Sequence, residues 1–336
     1  MFKVGVTRDL ITASGEPCFN PVAFDELAAN PDIEWEWLED CDEITADHCA
    51  AYDALHVNLP RVTAASVARD DCRVKIIARN GVGYDTVDVA ALAEKGILTT
   101  NTPLAIRRPV AIAALTHIFA LTGKLFTKDR LVRDGRWNDR VEHMGVGLTT
   151  RTLGVVGAGG IGRELIGLAD PFFDRILFSD PHIGEVAGAE RASFDALLTG
   201  SDVVVVCCLL EDETRHMFDA LAFARMKPTA FFVNVARGPI HDEAALIDAL
   251  RSGQIAGAGL DVTEVEPIAN DSPLMTMDNT IITAHSLCWT DECFQDIARS
   301  ALRSIVAPSI ALRTWARFLR ELLALAAIPS RQLQTS

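Results

Sequence analysis

Three side chains able to hold an anion or move a proton, Arg237, Glu266 and His285, each follow a short apolar run in the last third of the chain. Phe231-Phe232-Val233-Asn234-Val235-Ala236 leads into Arg237-Gly238. Gly257-Ala258-Gly259-Leu260-Asp261-Val262 leads towards Glu264 and Glu266, and Ile281-Ile282-Thr283-Ala284 leads into His285. Arginine can grip a carboxylate through two parallel N–H bonds, and histidine is the usual acid–base group near neutral pH. Taken singly, each is more often structural or solvated. Delivered in phase by three consecutive strands, they point to the sheet edge where ligands bind in a doubly wound fold.

A second constellation lies upstream. Leu153-Gly154-Val155-Val156 reads as a strand, followed by Gly157-Ala158-Gly159-Gly160-Ile161-Gly162 and a helix over Arg163 to Leu168. In that context GxGxxG is a dinucleotide fingerprint. Gly157 allows the tight turn, Gly159 lets the backbone approach a pyrophosphate, and Gly162 permits close helix–strand packing. The amides of Gly160 and Ile161 open the helix that faces the anion. A second strand, Arg175 to Ser179, ends at Asp180. A carboxylate there suits an adenosine ribose and repels a 2′-phosphate, so NAD is expected rather than NADP.

These sites need a scaffold, and the remaining sequence supplies one. Strand-like runs at Val4 to Val6, Ala54 to Val57, Lys75 to Ala78 and Ile97 to Thr99 alternate with helical stretches, one over Val87 to Glu94 and one starting at Pro109. This is the pattern of a parallel α/β fold. With 336 residues, 49% hydrophobic, the chain is long enough for two domains. A net charge of −15, from 31 basic and 46 acidic residues, argues against nucleic acid and against an anionic membrane surface. The longest apolar run, Val203 to Leu210, is too short for a membrane span, and the N-terminus reads as a strand rather than a targeting signal. The eight cysteines form no CxxC pair or metal-ligand spacing, so neither a metal site nor disulfides are expected. The expectation is a soluble cytoplasmic protein.

With these motifs in place, the sequence resembles the D-isomer-specific 2-hydroxyacid dehydrogenases. The resemblance is carried by Arg79-Asn80-Gly81-Val82-Gly83-Tyr84-Asp85, Gly96-Ile97 to Asn101-Thr102-Pro103, the GAGGIG turn, Val233 to Gly238, Leu260-Asp261-Val262 to Glu266-Pro267, and Ala284-His285. It runs from about residue 76 to residue 293. Residues 1–75 match only in general character.

The resemblance implies two Rossmann-like domains: an NAD-binding domain over 102–293, inserted into a flavodoxin-like substrate domain made of 1–101 and 294–336. It implies that Arg237 binds the substrate carboxylate and polarises the 2-oxo group. His285 would be the acid–base and Glu266 its hydrogen-bonded partner. The backbone amides of Val82 and Gly83 would complete the carboxylate site. Cys208, Val235 and Ala236 would line the cofactor, and Asp261 would help hold the nicotinamide carboxamide. The implied activity is hydride transfer between NAD(H) and a small D-2-hydroxy acid or 2-oxo acid. The alternative is an NAD(H)-sensing interaction protein of the corepressor type on the same fold. A formate dehydrogenase-like enzyme is disfavoured by Glu266, where those relatives place Gln. A homodimer is expected, with the segment from Lys124 to Gly147, including Trp137, wrapping the partner.

The sequence also departs from the family pattern. Ala284 stands where Pro usually precedes the histidine, Ile112 replaces a Glu, and Cys207-Cys208-Leu209 replaces a Thr-Pro pair. Trp289, in Ser286-Leu287-Cys288-Trp289-Thr290, either narrows the substrate pocket or packs in the core. Residues 307–336 hold four Arg and one Glu, and Leu312, Trp315, Leu319, Leu322 and Ala326 fall at helical spacing, as in a docking helix; the alternative is a shifted reading frame in the coding sequence.

Overall fold

The computed structural model describes residues 1–18 and 21–306. The apolar stripe expected from Leu312 to Ala326 lies outside the described residues. The chain forms two compact units: Met1–Thr102 together with the segment from Asp291, and Pro103–Thr290.

The first unit is built on a five-stranded parallel sheet. Its strands are β1 (Phe2–Val6), β2 (Ile33–Trp37), β3 (Ala54–Val57), β4 (Ile76–Arg79) and β5 (Leu98–Thr100), in the order β2-β1-β3-β4-β5. Strands buried on both faces are mostly apolar, and β3 is buried throughout, with His56 its one polar residue. Val4, Val6, Ala54, Ile76 and Ala78 pack on one face against Phe294, Ala298, Ala301 and Leu302 of a helix over 291–306. Leu55, Val57 and Ile77 pack on the other against Cys49, Val67 and Leu92. The expected helix at 87–94 begins at Val89, because Asp88 caps it by accepting the Ala91 N–H at 3.0 Å. Sequence reading missed β2. It is an edge strand with Glu34 and Glu36 exposed, and Trp35 stacks on Phe24 with ring centroids 4.7 Å apart.

The second unit is a seven-stranded sheet. Its strands are β6 (Thr152–Val156), β7 (Arg175–Ser179), β8 (Glu190–Arg191), β9 (Val203–Val206), β10 (Phe231–Asn234), β11 (Gly257–Leu260) and β12 (Thr280–Ile282), in the order β12-β11-β10-β9-β6-β7-β8. Every pairing is parallel. The order reverses between β6 and β9, which puts the glycine turn after β6 at the topological switch point. Helix Arg107–Gly123 begins two residues before Pro109 and buries Val110, Ala113, Ala114 and Ile118 in the core of this unit. No single helix among the described residues is long and apolar enough to cross a membrane.

Candidate active site

The glycine turn is shaped by what its glycines exclude. Gly157 sits at φ +91°, a backbone region that favours glycine, and a Cβ there would meet the Cys208 backbone nitrogen at 2.5 Å. A Cβ on Gly162 would lie 2.1 Å from the Gly157 carbonyl oxygen, so this contact draws helix Gly160–Ala169 onto β6. At Gly159 nothing among the described residues lies within 4 Å of that position. The turn is therefore filled from below and open at Gly159, the form that lets a pyrophosphate reach backbone N–H groups. The helix begins at Gly160, three residues earlier than the sequence suggests.

Asp180, just past β7, belongs to the same construction. Its Oδ2 accepts the Ala158 N–H at 2.8 Å, and its Oδ1 accepts the N–H groups of His182 at 2.8 Å and Ile183 at 3.0 Å. Burial works to raise its pKa, but the three backbone donors outweigh burial and hold the carboxyl below its ordinary value. Cys208 closes the other side. Burial pushes its thiol up to about 12, which leaves it an uncharged packing group.

Strand register explains how the catalytic candidates meet. Asn234 pairs with Leu260 and Leu260 with Ile282, so one row crosses β10, β11 and β12. Arg237, Thr263 and His285 each lie three residues beyond it. The fully buried Asn234 organises the first turn: its Nδ2 donates to the Arg237 carbonyl at 2.9 Å and to His241 Nδ1 at 3.0 Å, while its Oδ1 accepts the Ala236 N–H at 3.0 Å. Val235 is buried and Ala236 half-buried in the same turn.

The side chains of His285 and Glu266 meet at 2.9 Å, Nδ1 to Oε2, each about 40% exposed. Glu266 Oε1 also accepts the Thr263 N–H at 3.1 Å. Burial tends to raise the Glu266 pKa. The His285 hydrogen bond and charge, the Thr263 N–H and the Arg237 charge together hold it below its ordinary value. His285 itself has φ +51°, a left-handed conformation uncommon for a residue with a Cβ. It is held there by its own N–H, 2.7 Å from the Asp261 carbonyl and 3.0 Å from the Thr283 carbonyl. Asp261 Oδ1 then takes the N–H groups of Ser286 and Leu287, both at 3.1 Å, and the Thr283 hydroxyl at 2.6 Å.

The structure thus brings Arg237, Glu266 and His285 to one sheet edge in the same unit as the glycine turn. Val82 and Gly83 lie in the other unit, half-buried in the loop after β4, where Asn101 Nδ2 donates to the Val82 carbonyl at 2.9 Å. Trp289 is 44% exposed, so it does not pack in the core. Sequence reading missed the supporting roles of Asn234 and Thr283, and it missed that Asp261 Oδ1 is occupied by the turn that carries His285.

A family model described as the D-isomer specific 2-hydroxyacid dehydrogenase, NAD binding domain, matches residues 115–286. The chain belongs to the D-isomer-specific 2-hydroxyacid dehydrogenase family. It is 35% identical over 275 residues to a glyoxylate reductase of Thermococcus onnurineus, which covers 79% of this chain and 82% of that one. It is 34% identical over 260 residues to a glyoxylate/hydroxypyruvate reductase B of Citrobacter koseri, covering 75% and 76%. Among solved structures it resembles the D-lactate dehydrogenase of Aquifex aeolicus complexed with NAD and lactic acid, with a TM-score of 0.80, 25% identity, and 92% and 96% of the two chains covered. The protein is accordingly an NAD-dependent oxidoreductase of the D-2-hydroxyacid type. The glycine turn and Asp180 are the residues that fit this cofactor.

Proposed function

We propose that the protein reduces a small 2-oxo acid, of the size of glyoxylate or hydroxypyruvate, to the corresponding 2-hydroxy acid, of D configuration where that carbon is a stereocentre. The observation that carries this reading is the His285–Glu266 pair at 2.9 Å, beside Arg237 at the carboxyl ends of adjacent parallel strands. Bound NADH supplies the hydride. His285 donates its Nδ1–H to Glu266, which fixes the ring and leaves Nε2 to give a proton to the carbonyl oxygen as negative charge develops there. Arg237 takes the substrate carboxylate and polarises the neighbouring oxo group. The Val82 and Gly83 amides keep the carboxylate-binding role that the family resemblance gives them. Gly157, Gly159, Gly160, Ile161, Gly162 and Asp180 hold the adenosine and pyrophosphate, with Cys208, Val235 and Ala236 lining the cofactor. Any contact from Asp261 to the nicotinamide carboxamide falls to Oδ2, because Oδ1 is occupied. Trp289, exposed four residues beyond His285, favours a short substrate side chain.

The relatives' names support glyoxylate and hydroxypyruvate as first candidates and do not favour the corepressor-type reading. Leu125, Phe126, Val132, Trp137, Val141 and Met144 are 55–78% exposed, which supports a homodimer formed through the segment from Lys124 to Gly147. The test is loss of NADH absorbance with glyoxylate, hydroxypyruvate, pyruvate and phosphohydroxypyruvate, repeated with NADPH. Turnover of one or two of the smaller acids with NADH preferred supports the reading. Silence across the panel with NADH still bound refutes it.

A further inference from the structure

Behind the His285 turn a polar line starts from a buried histidine that plays no part in the chemistry just described. His117 lies on helix Arg107–Gly123 and is 1% exposed. It fits against β11 because residue 259 is glycine; a Cβ there would lie 2.9 Å from the Cβ, Cγ and Nδ1 of His117. His117 Nε2 is 3.3 Å from the Thr283 hydroxyl, and that hydroxyl is 2.6 Å from Asp261 Oδ1.

The proton positions in this line follow from donor counting. A threonine hydroxyl has one proton, and the short bond to an acceptor-only carboxylate claims it. His117 must therefore donate through Nε2–H, which leaves Nδ1 as a buried lone pair with no hydrogen-bond partner among the described residues. An orphaned buried acceptor costs free energy that a leucine at this site would not incur. The line ends at Asp261, whose carbonyl and Oδ1 together hold His285 in its left-handed turn. We propose that His117 is a positioning residue for His285, acting through Thr283 and Asp261 to fix the turn that aims the imidazole at Glu266.

This rests on the acid–base reading of His285, so the experiment separates the two. In the full-length protein, His117→Leu, His117→Gln and His285→Ala are compared with the parent, using whichever of the four 2-oxo acids is turned over fastest. The readouts are kcat per NADH-binding site, with sites titrated by fluorescence, KM for the acid, and Kd for NADH. A merely structural role would reduce the number of sites and leave turnover per site intact. His117→Leu is expected to lose about tenfold in kcat per site, the scale of a modest misplacement of a catalytic group. KM and Kd should stay within about twofold, and Gln, whose amide restores an N–H donor, should recover most of the loss. Parental turnover per site in His117→Leu, or equal losses in Leu and Gln, overturns the proposal. If His117→Leu does not fold, Thr283→Val and Thr283→Ser make the same comparison: serine must retain turnover that valine loses, and equal turnover overturns it. Parental turnover in His285→Ala overturns the acid–base reading and this proposal with it. An inactive His285→Ala alongside a parental His117→Leu overturns the relay alone.

Discussion

Asp180 accepts the backbone N–H of Ala158 at 2.8 Å, which ties the end of β7 to the glycine turn after β6. The residue expected to select the cofactor therefore also braces the turn that holds it. Replacing Asp180 with Ala should weaken NADH binding and lower the melting temperature together, whereas Asn keeps an acceptor and should spare the fold. NADPH should gain relative to NADH in both variants, because the negative charge expected to repel a 2′-phosphate is removed. Fluorescence titration of each variant with both nucleotides checks this, and an unchanged NADH-to-NADPH ratio would count against Asp180.

Two glycines of the turn should separate folding from binding. Gly162→Ala drives a methyl group into the Gly157 carbonyl, and overpacking of this kind costs about 1–3 kcal/mol. Its melting temperature should fall. Gly159→Ala meets nothing within 4 Å among the described residues, so it should melt like the parent while binding NADH more weakly. Equal stability losses in the two variants would contradict the geometry.

Arg237 should matter most for substrate capture. A hydrogen bond to a charged group is worth about 1.5–3 kcal/mol, so Arg237→Leu should raise KM for the 2-oxo acid roughly 10- to 150-fold. Arg237→Lys should recover only part, since an ammonium cannot form the paired bond to a carboxylate. Initial-rate kinetics at saturating NADH measure this, and a parental KM in Arg237→Leu would remove Arg237 from the carboxylate site.

Acid should destabilise the fold before its carboxylates protonate. Burial pushes His56, His117 and His241 down from 6.5 to about 4. Between those values the unfolded chain binds protons that the folded chain refuses, so stability falls as pH drops. Asp180 and Glu266 have lowered folded-state values, and their contributions are present above their ordinary values of 3.8 and 4.5 and lost only below them. The interval from pH 6.5 to 4.5 therefore reports the histidines. Melting temperatures should decline across it, and a flat profile would show that these imidazoles are not buried as neutral groups.

What the sequence made legible was local. The GAGGIG turn and the runs that end before Arg237 and His285 are contiguous stretches whose spacing survives without knowledge of the fold. The parallel α/β class followed from the same alternation. The support of His285 was not legible, because Thr283, Asp261 and His117 meet only through the register of β11 with β12 and the packing of a helix from far upstream. Asn234 was visible as part of a motif, but its bond to the Arg237 carbonyl depends on the turn that follows β10. Strand β2 was missed because its alternating glutamates mark a sheet edge rather than an apolar core strand.

Turnover of His285→Ala, measured alongside its affinity for NADH, tests whether His285 is the proton donor. General acid catalysis contributes typically 10²–10⁴-fold, so turnover should fall on that scale while NADH binds as in the parent. Undiminished turnover in that variant would mean that another group donates the proton.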